Sequence, residues 1–359
     1  MEECFTESAL RHGGDIYRNR VQLDFSVNIN PLGMPGSAAA AFCGSVRKLS
    51  AYPDYEQEAL RRLLAARCEF PEECIACGNG ASELLQAALL ALHPHSVLLP
   101  VPSFSGYRHA LRGLSLLRED GIRIREFPLA ESRGFALDAS ILETPPAELT
   151  ILCAPNNPVG NIIDLNLLRA LLDRCRRECA HLLLDICFLL LCADGEVLSR
   201  RILELARAYP ELILVNALTK SHALPGLRVG WALCADSSII RALRLMQPEW
   251  SLSVPGMETA LAALTGDQEY LRRSRELIRK ERAYLVRGLT RLGFHCFPGE
   301  ANFILFHAER ELQEALLQRA VLIRRCEDYV GLDAHYYRIA VRRRSENREL
   351  LRILAELAL

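Results

Sequence analysis

No uninterrupted apolar run in the sequence approaches the ~18 residues that a membrane-crossing helix needs. The richest stretch, Leu182 to Ala193, carries Asp185 inside it. Nor is there a surplus of charge: 43 Lys plus Arg stand against 44 Asp plus Glu, a net charge of −1. That balance excludes the basic stripe of a nucleic-acid or anionic-membrane binder. The opening Met1-Glu-Glu-Cys is acidic and lacks the apolar region of a secretory signal, so a cytoplasmic location is expected. Internal repeats and low-complexity segments are missing too. The 13 cysteines are not scarce, but they lack partners. Cys74-Ile-Ala-Cys77 has metal-ligand spacing with neither a second pair nor a His-x-x-x-His partner. Cys153, Cys187, Cys192 and Cys234 sit in apolar runs, where a free thiol behaves as a small hydrophobe. Free thiols and no metal are expected.

What is present is the mixture of a soluble globular protein: 50% hydrophobic and 24% charged residues over 359 positions, room for about two domains. Strand-like runs at Ile75–Gly78, Ser96–Val101, 122–127, Leu149–Ala154, 182–184 and 211–216 alternate with helical patterns. A helix is expected after Asp54 as N-cap, another from about Phe104, and a third opened by Asp164. Such alternation predicts an α/β fold with a mostly parallel sheet covered by helices on both faces. Beyond about residue 250 the texture changes. A long basic helix over 267–292 reads as a solvated face, because Glu276 and Glu281 intersperse its arginines. Strand-like 302–306, 321–323 and 336–341 then suggest a smaller α+β region. The expected division is 1–45 as an N-terminal arm and part of the small domain, 46–250 as a large domain and 251–359 as a small C-terminal domain.

In open α/β sheets ligands bind outside the carboxyl ends of the strands. Gly78-Asn-Gly80, Asn157, Asp185 and Lys220 all follow or end apolar runs, so they would converge at one site. Gly78-Asn-Gly80-Ala81-Ser82 joins a strand to a helix and makes a phosphate cup, or else an ordinary capping turn. It does not match the dinucleotide fingerprint Gly-x-Gly-x-x-Gly. His12-Gly13-Gly14 leaves a backbone that an anion can approach, or a plain arm. In Ala217-Leu-Thr-Lys220-Ser-His-Ala-Leu-Pro-Gly226-Leu-Arg228 a lysine stands eight residues before an arginine. A buried lysine loses its charge readily and forms Schiff bases with aldehydes. An arginine at a fixed distance holds a phosphate. The pair suggests pyridoxal phosphate, against the plainer alternative of a surface loop before a strand.

The order Tyr-Pro-Asp, Gly-Asn-Gly-Ala-Ser-Glu, Pro-Asn-Asn-Pro-x-Gly, Asp, Thr-Lys, Pro-Gly-x-Arg-x-Gly and a late Arg covers nearly the whole chain. It resembles the fold-type-I pyridoxal-phosphate enzymes of the class I/II aminotransferase family. Within that class the likeness is greatest to the L-threonine-O-3-phosphate decarboxylases of cobalamin synthesis. The segments that carry this are His12-Gly-Gly-Asp-Ile, Asp24-Phe-Ser-Val-Asn-Ile-Asn-Pro-Leu-Gly, Trp250-Ser, Pro298-Gly-Glu-Ala-Asn, Leu322-Ile-Arg324-Arg-Cys and Gly331-Leu-Asp-Ala-His-Tyr-Tyr-Arg338. The resemblance implies an aspartate-aminotransferase-like fold and pyridoxal 5'-phosphate as cofactor. It implies that Lys220 carries the cofactor's aldehyde, Asp185 pairs with its pyridine nitrogen, Asn157 bonds its phenolic oxygen and Phe104 stacks on its ring. Gly80, Ala81, Ser82, Thr219 and Arg228 would hold its phosphate. Tyr52 would reach that phosphate from a neighbouring subunit, implying a homodimer. Arg338 would take the substrate carboxylate, and His12, Gly13, Asn30 and Arg324 the substrate phosphate.

Three positions depart from the family pattern. Asp185-Ile186-Cys187-Phe188 replaces Asp-Glu-Ala-Phe, Ala217 stands where serine is common, and His222 where tyrosine is common. The expected activity is decarboxylation of L-threonine O-3-phosphate to (R)-1-amino-2-propanol O-2-phosphate. Its rivals are an aminotransferase acting on histidinol phosphate or a similar phospho-amine, and a non-catalytic cofactor-binding relative. Serine phosphate differs from threonine phosphate by one methyl, worth only about 1–3 kcal/mol of discrimination.

Overall fold

The structure, a computed structural model, describes residues 13–358. A short strand β1 (Leu23–Asp24) comes first. Seven longer ones follow: β2 (Ile75–Gly78), β3 (Ser96–Val101), β4 (Arg123–Pro128), β5 (Leu149–Cys153), β6 (His181–Asp185), β7 (Leu212–Ala217) and β8 (Gly230–Leu233). They form one sheet in the order β2-β8-β7-β6-β5-β3-β4. Strands β7, β6, β5, β3 and β4 are parallel neighbours, whereas β8 runs antiparallel to both β2 and β7. The fold is thus the expected α/β type with a mostly parallel sheet.

Both faces are covered, which is why these strands read as continuous apolar runs rather than as alternation. With a side-chain period of two, Leu182 and Leu184 enter one core and Leu183 the other. The helices Glu58–Cys68, Leu165–Glu178 and Gly195–Ala208 supply Leu60, Leu64, Leu168, Leu172 and Ile202 to the first core. Gly80–Leu92, Ser105–Ser115 and Ser237–Leu245 supply Leu84, Leu111 and Leu243 to the second. Asp164 caps its helix as expected, its carboxylate accepting from the Asn166 and Leu167 amides at 2.9 Å. Asp54 does not occupy the N-cap of the Glu58–Cys68 helix. An intervening turn puts Gln57 there with φ 55°, and Asp54 instead accepts from Glu58 N at 2.7 Å.

Five strands complete the chain: β9 (His295–Cys296), β10 (Phe303–His307), β11 (Val321–Leu322), β12 (Arg324–Arg325) and β13 (Tyr336–Ala340). Four of them form an antiparallel sheet in the order β12-β13-β10-β9. The fifth, β11, pairs in parallel with β1, so residues near the start of the described chain pack with this C-terminal region. The helices Gln268–Arg291 and Arg344–Ala358 cover this sheet with Leu285, Leu289, Leu350 and Leu354. The outer face of the first is solvated at Arg272, paired to Glu269 and Glu276, but Glu281, expected on that face, is buried at 3% exposed and bound by Arg344 and Asn347. Phe188, just past β6, meets Phe303 of β10 edge-on at 5.0 Å, joining the two sheets.

Candidate active site

Strand direction gathers the site. Strands β2, β3, β5, β6 and β7 run the same way, so Gly78, Val101, Cys153, Asp185 and Ala217 end on one edge. Antiparallel β8 begins on that edge, which brings Arg228 back to it. A cavity of about 250 Å³ opens there, lined by Gly13, Ala81, Ser82, Phe104, Asn157, Asp185, Thr219, Lys220, Arg228, Arg324 and Arg338, among others.

One end of the cavity is built for an anion. The Gly80–Leu92 helix starts without a side-chain cap, so its first amides stay available. Gly80 adopts φ +81°, and a Cβ there would stand 2.6 Å from the Arg228 guanidinium. Gly230 leaves the matching space beneath, since its Cβ would lie 2.9 Å from Ala81 N. Helix amides, the Ser82 and Thr219 hydroxyls and Arg228 are the donor set of a phosphate cup.

Lys220 stands in the turn after β7, its Nζ 5.6 Å from the centre of the Phe188 ring. Burial pulls its ammonium down to about 8, Arg338 and Arg228 push the same way, and Cys187 and Asp185 oppose them. At pH 7 roughly a tenth of such an amine is neutral, against about one part in three thousand at the ordinary lysine value. Asp185 ends β6 and is clamped: Oδ2 accepts from Tyr107 OH and Oδ1 from Cys187 N, both at 2.9 Å. Burial first, and then the Asp185 charge, hold the Tyr107 phenol well above its ordinary value, so it remains a donor.

The four-stranded sheet supplies the opposite wall. Arg338 of β13 donates to Asn157 Oδ1, to Tyr329 OH at 3.1 Å and to Ser26 O at 3.0 Å. Arginine can only donate, so Asn157 must turn Oδ1 to it, leaving Nδ2 as the donor it can offer a ligand. Arg324 pairs with Asp328 and lies 5.5 Å over the Tyr329 ring. Burial opposes its charge, but Tyr329 and Asp328 outweigh that and hold it above its ordinary value. Asn28 also lines the cavity; it is 2% exposed and its Oδ1 is buried without a hydrogen-bond partner.

Three expected residues do not line the cavity, and a fourth is not described. His12 lies outside the described residues. Gly80 is buried beneath Arg228 rather than on the cavity wall. Tyr52 is 82% exposed, its ring 5.0 Å from that of Trp250 and tilted 40° to it, and it does not line the cavity of its own chain. Asn30 is not in the cavity: its Nδ2 donates to Ser221 O (2.8 Å) and Ser274 Oγ (2.7 Å), and its Oδ1 accepts from Leu32 N (3.0 Å). With those atoms engaged it braces the lysine turn, and Asn28 rather than Asn30 lines the cavity. Asn28 and Asn30 are alike in a linear reading. Tyr107 carried a weak signal, three residues beyond Phe104 on one helix face; Tyr329 carried none.

Against known proteins, the family model for aminotransferases of class I and II matches residues 20–354. The chain belongs to that family. It is 35% identical to the threonine-phosphate decarboxylase of Salmonella typhimurium, over 92% of this chain and 90% of that protein. It is 30% identical to histidinol-phosphate aminotransferase 2 of Archaeoglobus fulgidus, over 93% of each. The crystal structure of the histidinol-phosphate aminotransferase from Clostridium acetobutylicum superposes with a TM-score of 0.84 at 27% identity, covering 94% of this chain and 99% of that one. The cofactor of this enzyme family is pyridoxal phosphate. The residues present fit it: an amine with a lowered pKa for the aldehyde, a clamped carboxylate for a protonated ring nitrogen, and an uncapped helix start with Arg228 for the phosphate. Among the described residues no helix is long and apolar enough to cross a membrane.

Proposed function

We propose that this protein decarboxylates L-threonine O-3-phosphate to (R)-1-amino-2-propanol O-2-phosphate, the step that serves cobalamin synthesis. The observation that carries the reading is the pairing of two separate arginines, Arg338 and Arg324, on one wall of the cavity with the phosphate cup and Lys220 opposite. Arg338 receives the substrate carboxylate, and Arg324, Gly13 and Asn28 its phosphate. Bound pyridoxal phosphate supplies an electron sink for the pair left at Cα when a bond there breaks. The protein's part is to choose that bond. A carboxylate held by Arg338 and a phosphate held by Arg324 fix two ends of the substrate, and so fix rotation about the N–Cα bond. Lys220, neutral for a useful fraction of the time, would hold the cofactor's aldehyde until the substrate's amine displaces it, and the freed amine would then return a proton to Cα. Asp185, with Tyr107 behind it, keeps the ring nitrogen protonated. The likeness to the Salmonella decarboxylase supports this reading.

A homodimer is part of the same proposal. Tyr52, Tyr55 and Trp250 form an exposed aromatic cluster, and Val46 and Leu49 nearby in the chain are more than half exposed. Apolar exposure of this kind marks an interaction surface.

The alternative, amino transfer from histidinol phosphate, is favoured by the Archaeoglobus and Clostridium relatives. Reaction in deuterium oxide separates the two. Decarboxylation keeps the original Cα hydrogen and adds one deuterium to the product, leaving recovered threonine phosphate unlabelled. Exchange of the Cα hydrogen in recovered substrate, with amino transfer to 2-oxoglutarate, would establish the alternative.

A further inference from the structure

Two residues beyond Lys220, the chain buries a histidine completely. His222 is 0% exposed, and both its ring nitrogens are engaged. Nδ1 lies 2.9 Å from Ser221 Oγ, and Nε2 lies 2.9 Å from Asp267 Oδ2. Asp267 precedes the Gln268–Arg291 helix and is gripped by Arg67 of the Glu58–Cys68 helix through two further bonds, at 2.7 and 2.9 Å. Tyr270 stacks on the imidazole at 5.7 Å. A carboxylate already accepting two arginine N–H groups can only accept again, so the proton of a neutral ring sits on Nε2. Nδ1 is then free to accept from Ser221. Both ring nitrogens of His222 and both oxygens of Asp267 thus have partners, and the Arg67 and Asp267 charges cancel. Burial alone would raise the Asp267 carboxyl, but the bonds from His222 and Arg67 outweigh it and hold it below its ordinary value.

The turn gripped in this way is one helical turn, Leu218–Ser221, closed by His222 N on Leu218 O at 3.2 Å and Ala223 N on Lys220 O at 3.4 Å. Ala223, the next residue, is left-handed at φ +53°, a conformation that costs a non-glycine residue about 1 kcal/mol or more. Asn30 ties the turn from the other side, through Ser221 O and through its own amide to Lys220 O at 3.0 Å. Residues 220 to 222 are therefore fixed on two sides, by Asn30 and by the His222–Asp267–Arg67 chain.

We infer that His222, held by Asp267 and Arg67, is a positioning residue for Lys220: it fixes the backbone from which the amine reaches into the cavity. Loosening that backbone lets the amine relax toward water. Burial is the principal cause of its lowered pKa, so the midpoint for losing its proton rises. Arg338, Arg228, Cys187 and Asp185 also face the amine and stay in place when His222 is changed. Arg67, Asp267 and Tyr270 face the imidazole.

The test uses cofactor-free protein and pyridoxal, with the adduct trapped by borohydride and mapped to Lys220 as a function of pH. His222→Phe keeps the volume and removes both hydrogen bonds; His222→Gln keeps a donor for Asp267. The expected result is a midpoint raised by roughly one pH unit or more in His222→Phe, so that capture at pH 7 falls about tenfold, with recovery in His222→Gln. An unmoved midpoint in a folded His222→Phe protein overturns the inference, even if that protein melts earlier. Should His222→Phe not fold, Ser221→Ala takes its place, with an upward shift expected and an unchanged midpoint contrary. The inference rests on Lys220 being the aldehyde-bearing amine. Capture undiminished in Lys220→Ala would defeat that reading, whereas normal Lys220 capture with an unmoved midpoint defeats only the role of His222.

Discussion

A lysine can capture an aldehyde only in its uncharged form, so the residue scale turns on how its charge is removed. The cavity does this mainly by burial, aided by two arginines. Capture of pyridoxal by cofactor-free wild-type protein should rise about tenfold per pH unit and level off above about 8. A rise continuing past pH 10 would mean an ordinary lysine. The linkage runs in the same direction. Between about 8 and the ordinary lysine value the unfolded lysine holds a proton that the folded one has lost, so folding stability rises with pH there. Lys220→Met should abolish that part of the rise. At this scale the sequence was legible where function demands an unusual residue in a special place. Lys220, Asp185, Asn157, Arg228 and Arg338 all reach the cavity from positions more than a hundred residues apart at the extremes. It was not legible where two like residues divide the work, because Asn28 and Asn30 differ only in what packs beside them. His222 read as a mere departure from a family pattern until its partners from two distant helices were in place.

Among the elements, the start of the Gly80–Leu92 helix and strand β8 depend on each other. The absence of side chains at Gly80 and Gly230 lets Arg228 and the Ala81 amide close on one volume. Gly80→Ala forces an L-residue into φ +81° and drives its Cβ into the guanidinium. The expected outcome is a loss of cofactor affinity of at least tenfold, about 1.4 kcal/mol, measured by fluorescence titration with pyridoxal phosphate. Affinity unchanged in that variant would remove the cup from the account. The helices and parallel strands were legible because apolar periodicity and an N-cap such as Asp164 are local signals. The antiparallel course of β8 was not, since a four-residue buried run carries no mark of direction. Nor was the left-handed Gln57 that detaches Asp54 from its expected cap.

For the molecule as a whole, the two sheets contribute different halves of one chemistry. The seven-stranded sheet holds the groups that fit the cofactor, and the four-stranded sheet brings Arg338 and Arg324 to it. The exposed Tyr52–Trp250 face lies away from that junction, and a second copy is the occupant proposed for it. Sedimentation of the purified protein should give twice the chain mass, and Trp250→Asp should shift it toward the monomer. A wild-type protein sedimenting as one chain would exclude the dimer. The general architecture was legible from the strand–helix alternation. The choice between reactions was not, because it depends on the angle of one bond in a bound substrate. The most direct measurement follows carbon dioxide from carboxyl-labelled L-threonine phosphate, with pyridoxal phosphate present and no oxo-acid. Sustained release, lost in Lys220→Ala, is the predicted result; no release, with amino transfer appearing once histidinol phosphate and 2-oxoglutarate are added, would contradict it.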